Sequence, residues 1–274
     1  MALKLMYITN RPEIAEIANN SGVDRVFIDL EVLDKELRQG NMDTVKSHHQ
    51  ISDIPKVKAV LDDRCELLVR LNHFYDGTKA EINAVIDGGA DIVMLPYYKT
   101  VDEVRQFISY VDGRVKTMVL AETKEARDIM DEVLTIDGLD EVHIGLNDMH
   151  LSLGMKFMFE LLSDGTVEML GKKIKSSGRP FGFGGIAKLG GGAIPAEMVI
   201  SEHYRLGSSI AILSRSFCNT DIVTDLEEVK DIFNNGIKQI RDFEKSLLSK
   251  NGDYFEENRR NFIKAVDEIV AKIQ

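Results

Sequence analysis

Positive charge is what this sequence is short of: 34 Lys and Arg stand against 45 Asp and Glu, a formal charge of -11. That balance removes support for nucleic acid or an anionic membrane as partner, since both need basic surface to offset phosphate. Long hydrophobic runs are also missing. No window approaches the roughly 18 uninterrupted apolar residues of a spanning helix, so no membrane partner is expected. Cysteine is scarce; Cys65 and Cys218 lie beside ordinary strand patterns and in no metal-ligand spacing. They read as reduced thiols of a cytoplasmic protein. No G-x-G-x-x-G follows the first apolar run, and no serine sits in a nucleophile turn, which leaves a dinucleotide fold and a Ser/His/Asp triad without their signatures. The run MALKLMYITNRPE reaches Asn10, Arg11 and Pro12 too soon for a signal peptide and reads as a first strand.

What is present is an alternation. Short apolar runs at LKLMYIT, DRVFIDLE, ELLVRLN, ADIVMLPY, VKTMVLAE, EVHIGLN, RPFGFGGIA and SSIAILSR alternate with helical patterns such as PEIAEIANN and TVDEVRQFISYV. Ser52 or Asp53 is the expected cap of the helix in SDIPKVKAVLDD. Strands that alternate with helices imply a parallel sheet, and eight of them favour closure into a TIM (β/α)8 barrel over a doubly wound open sheet. Residues 1–224 make the barrel. Residues 225–274 form extra C-terminal helices, more than closing the barrel requires; such a tail can cap its base or pack on a neighbouring subunit, and the expectation here is the second, in a homo-oligomer.

Barrels of this kind carry their sites at the carboxyl ends of the strands. Those ends supply Asp29 and Glu31, Arg70 and Asn72, Pro96 and Tyr97, Glu122, then Gly145, Asn147 and Asp148, the glycines of GFGGIA, and Arg215. Carboxylates are hard oxygen ligands suited to Mg2+ or Mn2+. Glu122 and Asp148 end neighbouring strands and can share one such ion, or serve as helix caps and solvated loop groups. Arg70 can pair structurally with Asp29 or Glu31, or present its fork of donors to a carboxylate or enolate oxygen. His48, His49 and His73 lie in loops near the same edge, whereas His143 falls inside a strand and reads as packing.

These residues resemble the HpcH/HpaI aldolase and citrate lyase β-subunit family of the phosphoenolpyruvate/pyruvate barrel superfamily. The resemblance is carried by FIDLE, LVRLN, GADIVMLPY, AET and, most specifically, GLDEVHIGLNDMHLSLG, and spans roughly residues 20 to 215. It implies a divalent metal on Glu122 and Asp148, with Arg70 against a 2-oxo acid. Asp29 and Glu31 would orient metal-bound water or Arg70, and Pro96, Gly145 and Asn147 would line the substrate. The implied chemistry makes or cleaves a carbon-carbon bond between a pyruvate-type enolate and an aldehyde. Two departures open alternatives. Val32 stands where aldolases of the family often have a basic histidine, which allows a metal-binding barrel serving as a binding subunit. Tyr97 follows Pro96 where citrate-lyase-like members often have lysine, which weakens a lyase acting on a coenzyme A thioester.

Overall fold

The computed structural model describes residues 2–33 and 49–273. Each apolar run forms a strand that stops where its polar residues begin. The strands are β1 (Lys4–Ile8), β2 (Arg25–Asp29), β3 (Glu66–Arg70), β4 (Ile92–Leu95), β5 (Lys116–Ala121), β6 (Glu141–Ile144), β7 (Phe181–Ile186) and β8 (Ile210–Leu213). Every neighbouring pair is parallel, and β1 pairs with β8, Lys4 opposite Ile210 and Tyr7 opposite Leu213. The sheet is therefore a closed barrel, which rules out the open doubly wound alternative.

Strand alternation sorts the side chains into two cores. Met6, Phe27, Leu68, Met94 and Met118 are among those that fill the barrel. Val26, Ile28, Val69, Val93 and Val142 face outward against the helices. Those helices are α1 (Pro12–Asn20), α2 (Ile54–Lys58), α3 (Thr78–Asp87), α4 (Val101–Val111), α5 (Lys124–Asp128), α6 (Met130–Val133), α7 (Leu146–Ser152), α8 (Glu160–Ser163), α9 (Thr166–Ser176) and α10 (Ala196–Leu206). Pro12 opens α1, where its fixed φ costs no hydrogen bond. Thr100 and Glu103 form a reciprocal capping box on α4. The cap expected from Ser52 or Asp53 on α2 is not made. A 3-10 turn, Ile51–Asp53, precedes the helix, and Asp53 Oδ2 accepts instead from Gln50 N at 3.0 Å and Asn10 Nδ2 at 2.8 Å.

Two long helices follow the barrel, α11 (Leu226–Leu247) and α12 (Gly252–Val270). The first is clasped to the amino end of β1. Arg241 donates to Leu3 O and to Asp24 Oδ2, both at 2.7 Å, and Glu244 Oε1 accepts from Leu3 N at 2.7 Å. The second buries Phe262, whose ring meets Phe159 edge-on, and its Asn258 donates to Glu202 at 3.0 Å. The carboxyl-terminal extension thus packs on its own barrel. Among the described residues no helix is long and apolar enough to cross a membrane.

Candidate active site

The barrel is closed at its amino end by charge. Arg25, wholly buried, forks onto Glu141 at 2.6 and 2.8 Å and reaches Glu66 at 2.9 Å, while Lys116 pairs with Glu66 and Lys4 lies 3.7 Å from Glu141. These residues come from five strands, β1, β2, β3, β5 and β6, and meet only through closure, so no local sequence pattern announces them.

Arg70 stands at the opposite end. Its Nε and Nη2 each donate to one oxygen of Asp29 at 2.8 Å, and Nη2 lies 3.4 Å from Glu31 Oε2. The register places Asp29 directly opposite Arg70. Both carboxylates are almost fully buried, and the guanidinium lies over the Phe27 ring, 5.6 Å from its centroid. Burial opposes the charge on Arg70, but Asp29 and Glu31, with Glu122 more weakly, outweigh it and hold the guanidinium well above its ordinary value. The pairing and ligand readings of Arg70 are therefore compatible: Asp29 takes Nε and Nη2, and among the described residues Nη1 remains as a donor.

Glu122 follows β5 on the same rim and is buried. Its Oε1 accepts from the backbone N–H of Tyr97 at 3.0 Å. Tyr97 adopts φ 50°, a left-handed conformation unusual for a bulky residue, which turns that N–H inward from the β4 loop. Gly145 admits the carboxylate on the other side: a Cβ there would lie 2.8 Å from Glu122 Cβ and 2.9 Å from Oε2. Capping of α5 falls to Thr123, which accepts from Ala126 N, so Glu122 is not the cap. Asp148 lies half-buried in the first turn of α7, and exposed Asn147 donates to its Oδ1 at 3.2 Å. Pro96 is buried beside Tyr97. Among the described residues no three His, Cys, Asp or Glu side chains gather as a metal cluster. Glu122 and Asp148 follow the neighbouring strands β5 and β6, and as a donor pair they suit a hard cation, because Mg2+ characteristically takes one or two protein carboxylates and completes its shell with water and substrate. The donor chemistry agrees: the carboxylates of Asp29, Glu31, Glu122 and Asp148 share this rim with Arg70, an excess of negative charge.

The histidines separate. His48 lies outside the described residues. His49 Nδ1 accepts from Asp29 N at 2.9 Å, which commits that lone pair and leaves the ring proton on Nε2. His73 is half-buried after β3. His143 is buried in β6, as a packing residue should be, and burial pushes its imidazole down to about 3. Asn72 has a role that its position alone did not suggest. Its Oδ1 accepts from Val32 N and Leu33 N at 2.9 and 3.0 Å, and its Nδ2 donates to Glu81 at 2.8 Å. Val32, the residue at the expected histidine position, is exposed, and its backbone N–H donates to Asn72. Arg215 is exposed after β8.

A family model for HpcH/HpaI aldolase/citrate lyase matches residues 4–160, a stretch that contains every one of the acids above and Arg70. The chain belongs to the HpcH/HpaI aldolase/citrate lyase family. Among relatives in this family, a 2-keto-3-deoxy-L-rhamnonate aldolase from Escherichia coli is 28% identical over 171 residues, covering 52% of this chain and 58% of that protein. A protein of the same name from Shigella sonnei is 26% identical over the same shares. The match thus spans little more than half the length of these relatives. An HpcH/HpaI aldolase from Desulfitobacterium hafniense superposes with a TM-score of 0.60 at 15% identity, over 84% of this chain and 93% of that one. The citrate lyase β subunit from M. tuberculosis, complexed with oxaloacetate and magnesium, gives 0.59 at 15% identity over 85% and 97%. At such identities the shared property is the fold.

Proposed function

We propose that this family member is a divalent-metal-dependent aldolase or lyase that makes or cleaves a carbon-carbon bond through the enolate of a pyruvate-type 2-oxo acid. The observation that carries the reading is the rim itself, where a half-buried guanidinium locked by Asp29 shares the barrel mouth with the oriented carboxylate of Glu122. Glu122 and Asp148 hold the cation. Mg2+ or Mn2+ bound there supplies Lewis acidity, several kcal/mol of stabilisation for charge developing on the substrate oxygens.

The chain's own contribution is positioning and fixed charge. Asp29 holds Arg70 through two parallel hydrogen bonds, so that Nη1 meets an oxygen of the 2-oxo acid without reorganising as negative charge grows. Glu31 steadies the same guanidinium. Tyr97 N–H fixes one oxygen of Glu122, and the absent side chain at Gly145 leaves room for the other. His49 is not the base in this arrangement, because the Nδ1 lone pair is committed to Asp29 N–H and Nε2 carries the proton.

Exchange of pyruvate methyl protons for deuterium, followed by proton NMR, tests the proposal. Exchange is expected with Mg2+ or Mn2+, and to fall by about 100-fold or more in Glu122→Gln, as when a preorganised electrostatic contact is lost. Metal binding without exchange would sink the enolate chemistry and leave a binding subunit.

A further inference from the structure

Glu122 and Asp148 reach the rim on different elements, and the spacing between them decides which cation they can share. Glu122 is placed by the sheet. Ala121 pairs with Ile144, Gly145 N donates to Ala121 O at 2.9 Å, and a Cβ on Gly145 would lie 2.8 Å from that of Glu122, so the acid rests against the residue that begins α7. Asp148 stands three residues further on, in the first turn of that helix. Its position relative to Glu122 therefore depends on the direction in which α7 leaves the strand.

Ser152 ties that direction down. It follows Asp148 by four residues, and residues so spaced lie on one face of a helix. Its Oγ accepts from Lys124 N at 2.8 Å, two residues after Glu122. Lys124 opens α5, where the first amides have no partner within the helix. The turn that presents this amide is itself fixed, because Thr123 Oγ1 donates to Tyr98 O at 3.1 Å and accepts from Ala126 N at 3.0 Å. Contacts thus join the two segments on both sides of the acid pair, Gly145 to Ala121 before it and Ser152 to Lys124 after it.

Burial does not account for this serine. Ser152 and Lys124 are both exposed, and water can serve an amide at a helix start as well as a hydroxyl can. What the hydroxyl adds is a constraint between the segment of Glu122 and the helix of Asp148. Cations differ in their need for one. Mg2+ demands a near-ideal octahedron with oxygens at about 2.0–2.1 Å, whereas Ca2+ accepts six to eight oxygens at about 2.3–2.6 Å in flexible arrangements. A carboxylate pair held at one spacing can favour the smaller ion, and a pair that drifts apart loses that preference.

We infer that Ser152 is a positioning residue that sets the separation of Glu122 and Asp148 and thereby makes the site select a small octahedral cation over Ca2+. The inference rests on the reading of Glu122 and Asp148 as the pair that holds the cation. The clasp itself stands on the Lys124–Ser152 hydrogen bond and on the spacing of Ser152 from Asp148.

The test titrates the full chain with Mg2+, Mn2+ and Ca2+ in a calorimeter. Ser152→Ala is expected to weaken Mg2+ and Mn2+ about tenfold, as when a group that orients a metal's ligands is lost, and to leave Ca2+ within about twofold, since that ion tolerates a looser site. The melting temperature of the metal-free variant should hold, because the position is exposed and alanine is the better helix former. Ser152→Thr, which keeps the hydroxyl, should restore the preference for Mg2+. Equal losses for Mg2+ and Ca2+, unchanged Mg2+ affinity in Ser152→Ala, or a threonine variant no better than alanine would overturn the inference. Glu122→Gln separates the two proposals. Mg2+ binding that is absent from the wild type, or that survives Glu122→Gln, ends the metal assignment and the inference with it. Binding lost in Glu122→Gln but kept in Ser152→Ala ends the inference and leaves the assignment standing.

Discussion

Glu122 can lie against residue 145 only while that residue is glycine. A methyl group there would sit 2.9 Å from Glu122 Oε2 and 2.8 Å from its Cβ, closer than such atoms approach. The backbone on one side and the Tyr97 N–H on the other leave the carboxylate little room to yield. Gly145→Ala is therefore expected to fold with a loss of about 1–3 kcal/mol, as overpacking usually costs, and to weaken Mn2+ binding in calorimetric titration. Unaltered Mn2+ affinity would show that Glu122 is not held where the cation binds. The candidate acids were visible in the sequence because each ends an apolar run, and strand ends converge in a barrel. The groups that aim them were not visible. Tyr97 acts through its backbone in a left-handed turn, and Asn72 acts through Glu81, nine residues further along; neither contact has a local pattern.

At the level of the strands, the same alternation that delivers acids to one rim delivers Arg25, Glu66, Lys116 and Glu141 to the other. Arg25 is buried against two carboxylates, and removing it leaves buried Glu141 with only Lys4 at 3.7 Å, while Glu66 keeps Lys116. Breaking a buried pair from one side typically costs about 3–5 kcal/mol, whereas replacing both partners with apolar groups can cost little. Arg25→Met should accordingly lower the urea midpoint sharply, and Arg25→Met combined with Glu141→Leu should recover much of the loss. A double variant no better than the single one would mean that the barrel base needs this charge network for more than pairing. The eight strands were legible because runs such as IVML and EVHI are buried on both faces. Helix starts were less so: Asp53 was expected to cap α2, but a 3-10 turn shifts the start and Asn10, distant in sequence, claims its carboxylate. The helix after β5 also divides at Ile129 into α5 and α6.

The whole molecule carries a pH dependence that no single element sets. His143 inside the barrel and His203 on α10, stacked on Phe183 with ring centroids 3.7 Å apart, are both buried neutral. Burial lowers each imidazole from 6.5 to about 3; Arg25 and Arg70 add to this for His143, against a backbone contact to Gly184, and His143 adds to it for His203. The unfolded chain therefore binds two protons below 6.5 that the folded chain refuses until about 3. Stability rises with pH wherever the unfolded state holds more protons, so it falls as pH drops through this window, by up to about 1.4 kcal/mol per unit for each histidine. Glu168, held down to about 2 by Lys172 against partial burial, with Arg205 and Arg259 assisting, acts in the same direction but only below its ordinary 4.5. Glu81 opposes them above 4.5, because burial makes its folded carboxyl keep a proton that the unfolded chain releases. The interval from 6.5 to 4.5 thus isolates the histidines from Glu168, with Glu81 as a constant offset between variants. Chemical denaturation across that interval should show stability declining toward acid, and His143→Leu should remove about half of the histidine contribution to the slope. A slope identical in the wild type and His143→Leu would mean that the barrel interior admits a charged imidazole, and that the mouth, rather than a dry core, sets the environment of β6.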